Sequence, residues 1–116
     1  FAESGIDPAY MGYAPYYAVT KLLHQTGRKI TDYDIIELNE AFASQSVALV
    51  RDLQIPTSKL NIFGGAIALG HPLAASGTRL VASAINSLEH VNGKLALVTL
   101  CIGGGQAIAY EIKRDF

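Results

Sequence analysis

An α/β layered fold is what this sequence predicts, on three observations. Short apolar runs of strand character (34–38, 60–63, 94–100) are separated by longer segments whose apolar residues recur at helical spacing. The run from Lys94 to Leu100 and the run from Gln106 to Ile112 flank the triplet Gly103-Gly104-Gly105, which reads as a hairpin connection. Strands alternating with helices build layered α/β folds.

The elements follow in order. Phe1 to Ala14 carries the turn formers Gly5, Asp7-Pro8 and Gly12 and reads as irregular chain. Pro15 opens the first helix, where a missing N–H is tolerated. Ala18, Val19, Leu22 and Leu23 mark its apolar face, and Gly27 supplies its stop. Thr31-Asp32 forms a short capped turn before a half-buried strand, Asp34 to Leu38. Asn39-Glu40 introduces a second helix through about Leu53, with Phe42, Val47, Leu49, Val50 and Leu53 as apolar positions, and Ile55-Pro56-Thr57 breaks it. Leu60 to Phe63 is a brief strand leading into glycine. The third helix runs from about Ala74 to Glu89 on Leu80, Val81, Ala84, Ile85 and Leu88. Asn92-Gly93 then turns the chain into the hairpin.

Composition narrows the class of function. The 116 residues make one domain, 1–116. Charged residues are 16% of the chain, against about 25% in an average globular domain, and hydrophobic residues are 50%. Charges this sparse leave apolar surface uncovered on a small domain, so contact with another domain or subunit is expected. The net charge is −1, and only Arg28-Lys29 and Lys113-Arg114 pair basic residues, so nucleic acid and anionic membranes have no electrostatic footing. No apolar run approaches the ~20 residues of a membrane span, and no secretory signal pattern is present. A single cysteine closes no internal disulfide, which fits a reducing compartment and a cytoplasmic setting. A chain opening at Phe1 without methionine is expected to be part of something longer.

Three segments carry the candidate chemistry. In Gly64-Gly65-Ala66-Ile67-Ala68-Leu69-Gly70-His71-Pro72, the histidine stands in a stiff, non-helical turn ahead of a helix, where loop backbone presents it. His24 lies on an ordinary helix and His90 at a helix end, and both are assigned to the surface. In Cys101-Ile102-Gly103-Gly104-Gly105, the cysteine is either a small buried hydrophobe at a strand end or a thiol that gives and takes a proton beside the Gly103 N–H, a candidate oxyanion donor. In Asn39-Glu40-Ala41-Phe42-Ala43, Asn39 is either a helix N-cap or an amide aimed into a cleft at a strand's carboxyl end. Glu40 reads as a first-turn carboxylate favouring the helix dipole, ahead of a role as partner to a site residue.

Ser76-Gly77 resembles a phosphate-binding helix start only weakly, because the P-loop and dinucleotide patterns are absent. Ser76 also lacks the nucleophile-elbow spacing. No metal is expected, since one cysteine and three dispersed histidines give no ligand spacing.

Taken together and in order, these three segments, with Ser76-Gly77 and the opening Gly5-Ile6-Asp7-Pro8 and Met11-Gly12, resemble the C-terminal half of the thiolase family over essentially the whole chain. The resemblance is to acetyl-CoA acetyltransferases of the biosynthetic type. It implies a layered thiolase-like half, a mixed β-sheet covered by helices. It also implies condensation of two acetyl-CoA to acetoacetyl-CoA and CoA, or the reverse thiolysis, with coenzyme A thioesters as substrates and no separate cofactor.

By the same resemblance His71 would activate a nucleophilic cysteine in the absent N-terminal half and help hold the enolate oxygen. Asn39 would complete that oxyanion site through a water. Cys101 would move the α-proton, the Gly103 N–H would support the tetrahedral oxyanion, and Met11 and Phe42 would line the acyl pocket. The implied partners are the N-terminal thiolase domain and further copies in a dimer or tetramer.

Two positions depart from the family pattern. Ala74 and Ala107 stand where thiolases commonly carry glycine, and alanine would be strained there if either position needs φ > 0. The nucleophilic cysteine is also absent, so the chain alone is expected to be inactive. Competing readings are a non-catalytic CoA-binding or assembly module and a ketoacyl-synthase-like condensing enzyme. The latter uses two histidines in the corresponding roles, and Cys101 opposes it.

Overall fold

A computed structural model describes residues 1–115. Its centre is a four-stranded sheet of β1 (Ala2–Gly5), β2 (Ile35–Leu38), β3 (Leu95–Gly103) and β4 (Gln106–Lys113), in the order β1-β4-β3-β2. β2 runs parallel to β3 with Leu38 opposite Thr99, whereas β4 is antiparallel to both β1 and β3, so the sheet is mixed.

One helix covers each face. α1 (Ala14–Thr26) sets Ala14, Ala18, Val19 and Leu22 against Ile36, Leu97, Ala107 and Ala109. The long α4 (Leu73–His90) sets Leu80, Ala84 and Leu88 against Ile35, Ala96 and Val98 on the opposite face. Alternate residues of each central strand therefore enter different cores. β2 is buried at all four residues rather than half-buried, as befits a parallel pair roofed on both sides.

The rest of the chain connects this frame and revises several expectations. Phe1 to Ala14 is ordered: β1 pairs with β4, and Pro8–Tyr13 forms a 3₁₀ helix whose first turn the Asp7 carboxylate caps by accepting from the Ala9 N–H at 2.9 Å. The second helix, α2, spans Ala43–Asp52 with Phe42 as N-cap, not Asn39. Asn39 instead continues the ladder, its N–H donating to the Thr99 carbonyl at 3.0 Å. Leu60 to Phe63 is not a strand. Only Leu60 bridges Ile36, and Asn61, at φ 43°, turns the chain away. A short helix, α3 (Ala66–Leu69), occupies the glycine-rich segment.

The hairpin between β3 and β4 needs its glycines. Gly104 and Gly105 both take positive φ, 58° and 82°, as a two-residue turn of the primed kind requires. A Cβ on Gly105 would also collide with the Ile6 carbonyl, where the Ile6 N–H donates to Gly105 at 2.9 Å. Large apolar side chains remain on the surface, with Leu73 85%, Val47 66% and Ile67 65% exposed, as the sparse charge anticipates. Among the described residues no helix is long and apolar enough to cross a membrane.

Candidate active site

The sheet's polarity gathers the three segments at one end. β2 and β3 are parallel, so Asn39 and Cys101 leave or end neighbouring strands on the same side, and the chain after β1 brings Met11 there as well. A cleft of about 570 Å³ at this end is lined by Met11, Phe42, His71, Ala74, Cys101 and Gly103, among others. Asn39, fully buried, stands behind it and reaches it through His71.

His71 is half-buried and held from both ring nitrogens. Nδ1 lies 2.5 Å from Ser76 Oγ, and Nε2 lies 3.4 Å from Asn39 Nδ2. Ser76 has one hydroxyl proton, which it donates to the Pro72 carbonyl at 3.1 Å. Its oxygen must then accept from the ring, which assigns the proton to Nδ1 and leaves a lone pair on Nε2. That lone pair is directed to the Asn39 amide. Ser76 thus does for the imidazole what a carboxylate or carbonyl does in other sites: it fixes tautomer and orientation.

Cys101 ends the regular part of β3. The register shifts between Cys101 and Gly103, a bulge that re-aims the chain where the sheet meets the cleft. The thiol is partly exposed and donates to the Met11 carbonyl at 3.5 Å. It is not a packed core hydrophobe. Gly103, at φ 125°, is exposed on the cleft wall, and Phe42 and Met11 are 59% and 42% exposed there.

Three residues support the site: Glu40 and Ser76, which the sequence suggests first in other roles, and Asn61, which it does not single out. Glu40 serves no dipole of α2, which begins at Ala43. Its Oε2 accepts from the Ile67 N–H at 3.0 Å and so caps α3, while Oε1 accepts from Asn61 Nδ2 at 3.1 Å. Gly65 is bare because any Cβ there would strike the Glu40 carboxylate. Asn61 holds the end of β2 through Leu38. Ser76, which the sequence offers as part of the motif and as a weak phosphate-binding helix start, instead orients the His71 ring. An asparagine between Leu60 and Ile62 and a serine five residues after His71 are the signals the sequence carries for two of them.

Electrostatically the site has one anomaly. Glu37, fully buried on β2, has its carboxyl pushed up to about 7 by desolvation, against the attraction of Arg79. Neither Ala74 nor Ala107 takes a positive φ, so neither methyl strains the backbone. His24 and His90 are exposed, the latter edge-on to Phe63 with ring centroids 5.1 Å apart. Among the described residues no group of three potential ligands could hold a metal ion.

Residues 1–114 match the family model described as the thiolase C-terminal domain. The chain is 46% identical over 115 residues to a probable acetyl-CoA acetyltransferase of Escherichia coli (strain K12), covering 99% of this chain and 29% of that protein. It is 54% identical over 112 residues to a beta-ketoadipyl-CoA thiolase of Acinetobacter baylyi, covering 95% of this chain and 28% of that protein. A crystal structure of human mitochondrial 3-ketoacyl-CoA thiolase in complex with CoA superposes with a TM-score of 0.94 at 45% identity, over 99% of this chain and 29% of that one. The chain thus spans under a third of the length of these relatives.

Proposed function

The chain belongs to the thiolase family as its C-terminal domain, and from that premise we propose that it is the acid–base half of an acetyl-CoA acetyltransferase. The reading rests on one observation: His71, Cys101 and Gly103 share a single cleft, with the Asn39 amide hydrogen-bonded to His71 behind it.

In this reading Nε2 of His71 takes the proton from a cysteine thiol of the N-terminal half. The thiolate attacks the carbonyl of acetyl-CoA, the thioester C–S bond breaks, and the CoA thiolate leaves with the proton of the Cys101 thiol, so His71 keeps Nε2–H and Cys101 becomes a thiolate. A second acetyl-CoA then loses its α-proton to the Cys101 thiolate. Its enolate oxygen is held by His71 Nε2–H and by a water on Asn39, and its carbon attacks the acetyl-enzyme. The tetrahedral oxyanion rests on the Gly103 N–H, and the nucleophilic thiolate is expelled as acetoacetyl-CoA forms.

Met11 and Phe42 form the apolar wall for the acyl group. The reaction asks for no cofactor besides the CoA thioesters, and the working form is a homo-oligomeric, cytoplasmic full-length protein. The non-catalytic alternative drew its weight from Ala74 and Ala107, whose ordinary backbone conformations remove that support.

The deciding experiment is acetoacetyl-CoA thiolysis by this chain alone and joined to the nucleophile-bearing half. Activity is expected only in the joined protein, and it is expected to be lost there in Cys101→Ser. A joined protein that binds CoA without turnover, or a fully active Cys101→Ser, overturns the proposal.

A further inference from the structure

We infer that Glu37 and Arg79 are a buried positioning pair that sets the separation of Asn39 and His71, a role resting on the acyl-transfer reading above. The pair occupies the middle step of a ladder between β2 and α4. Along β2, Ile35, Glu37 and Asn39 fall at alternate positions and so share one face of the sheet. On α4, Ser76, Arg79, Leu80, Ala84 and Leu88 recur at helical spacing.

The step far from the cleft is apolar, with Ile35 packed among Leu80, Ala84 and Leu88. At the cleft, Asn39 meets His71, whose ring Ser76 holds. Between them Arg79 Nη1 stands 3.9 Å from Glu37 Oε2, with 21% of the Arg79 side chain and 1% of the Glu37 side chain exposed.

Packing alone does not require this pair. Hydrocarbon of the same volume would fill the step, and desolvating two charges offsets most of their attraction. Above about pH 7, where the Glu37 carboxyl is ionised, what the two charges add is direction. An ion pair is satisfied at one relative placement of strand and helix, whereas apolar contacts tolerate sliding.

Placement matters at the next step, because the 3.4 Å contact between Asn39 Nδ2 and His71 Nε2 is already at the long limit of a hydrogen bond. A few tenths of an ångström more between β2 and α4 would open it. The carboxylate oxygens of Glu37 and the guanidinium nitrogens of Arg79 have no hydrogen-bond partner among the described residues. The 3.9 Å and the 3.4 Å contacts are both long, and both join the strand line of Glu37 and Asn39 to the segment that runs from His71 into α4.

The test uses the full-length protein with ¹⁵N-labelled histidine rings and follows thiolysis and the His71 tautomer together. The double variant Glu37→Leu/Arg79→Met removes both charges and is expected to unfold at nearly the wild-type temperature. It should lower kcat roughly 10- to 100-fold with KM little changed, and turn the single Nδ1–H tautomer of His71 into a mixture. Glu37→Gln, which keeps the volume, gives the same two readouts if the double variant folds poorly. Arg79→Lys, which keeps the charge, is expected to recover part of kcat.

Wild-type kcat and an unchanged His71 spectrum in the charge-free variants overturn the positioning role. A wild-type protein without thiolysis, whose His71 spectrum still changes in the double variant, overturns the acyl-transfer reading and leaves the positioning role standing.

Discussion

The side-chain amide of Asn61 pairs with both backbone polar groups of Leu38, accepting from its N–H and donating to its carbonyl at 3.0 Å each. Asn61 does for the last residue of β2 what a neighbouring strand would do, from a chain that has already turned aside at φ 43°. Its second amide proton goes to Glu40, so the site carboxylate and the strand end are tied to one side chain.

Asn61→Leu leaves two buried backbone groups of Leu38 without partners. The expected cost is about 2–4 kcal/mol of unfolding free energy, read from the urea midpoint at unchanged slope. A loss below about 0.5 kcal/mol would mean that Leu38 finds other partners.

Ser76→Ala removes the acceptor for His71 Nδ1–H and frees the imidazole to change tautomer. Thiolysis by the full-length protein should fall roughly tenfold in kcat, the order found when an orienting partner of a site histidine is lost. Unaltered kcat would show that Pro72 and the cleft wall suffice to hold the ring.

Glu37 predicts an unusual pH dependence of stability. Its carboxyl is raised in the folded protein to about 7 from an ordinary 4.5. Between these values the folded state keeps a proton that the unfolded chain has released, so stability falls as pH rises. The contribution is complete below about pH 4.5 and lost above about pH 7. Urea titrations across this range should show the decline in the wild type and a flattened profile in Glu37→Gln. Equal slopes would place the titration elsewhere.

Ala74 sits inside the first turn of α4 with ordinary helical backbone. Ala74→Gly should therefore lower stability by about 0.5–1 kcal/mol through backbone entropy, and not relieve strain. A stabilised glycine variant, seen in thermal melts, would contradict the helical assignment.

Which parts of this molecule could be read from its sequence follows from how local their causes are. α4 and the hairpin were legible to within a residue or two at most ends, because helical spacing from Leu80 to Leu88 and three consecutive glycines are patterns of neighbours. β1 was not: four residues bounded by Gly5 become a strand only because β4, a hundred residues on, supplies the pairing. Leu60 to Phe63 failed for the opposite reason, having strand composition but a turn imposed at Asn61 by its bonds to Leu38. The candidate residues were visible as motifs. Their supports, Ser76, Asn61 and Glu40, act through space and left no periodic trace.

The sheet's polarity has a practical side. Met11, Asn39, Phe42 and His71 lie beyond strand ends that point one way, with Cys101 in the last residues of β3, while Phe1, the turn at Asn92-Gly93 and Lys113 lie at the other. A label attached at the Asn92-Gly93 turn or at Lys113 would hang clear of the cleft. The molecule has a working end and, at that turn and at Lys113, a handle.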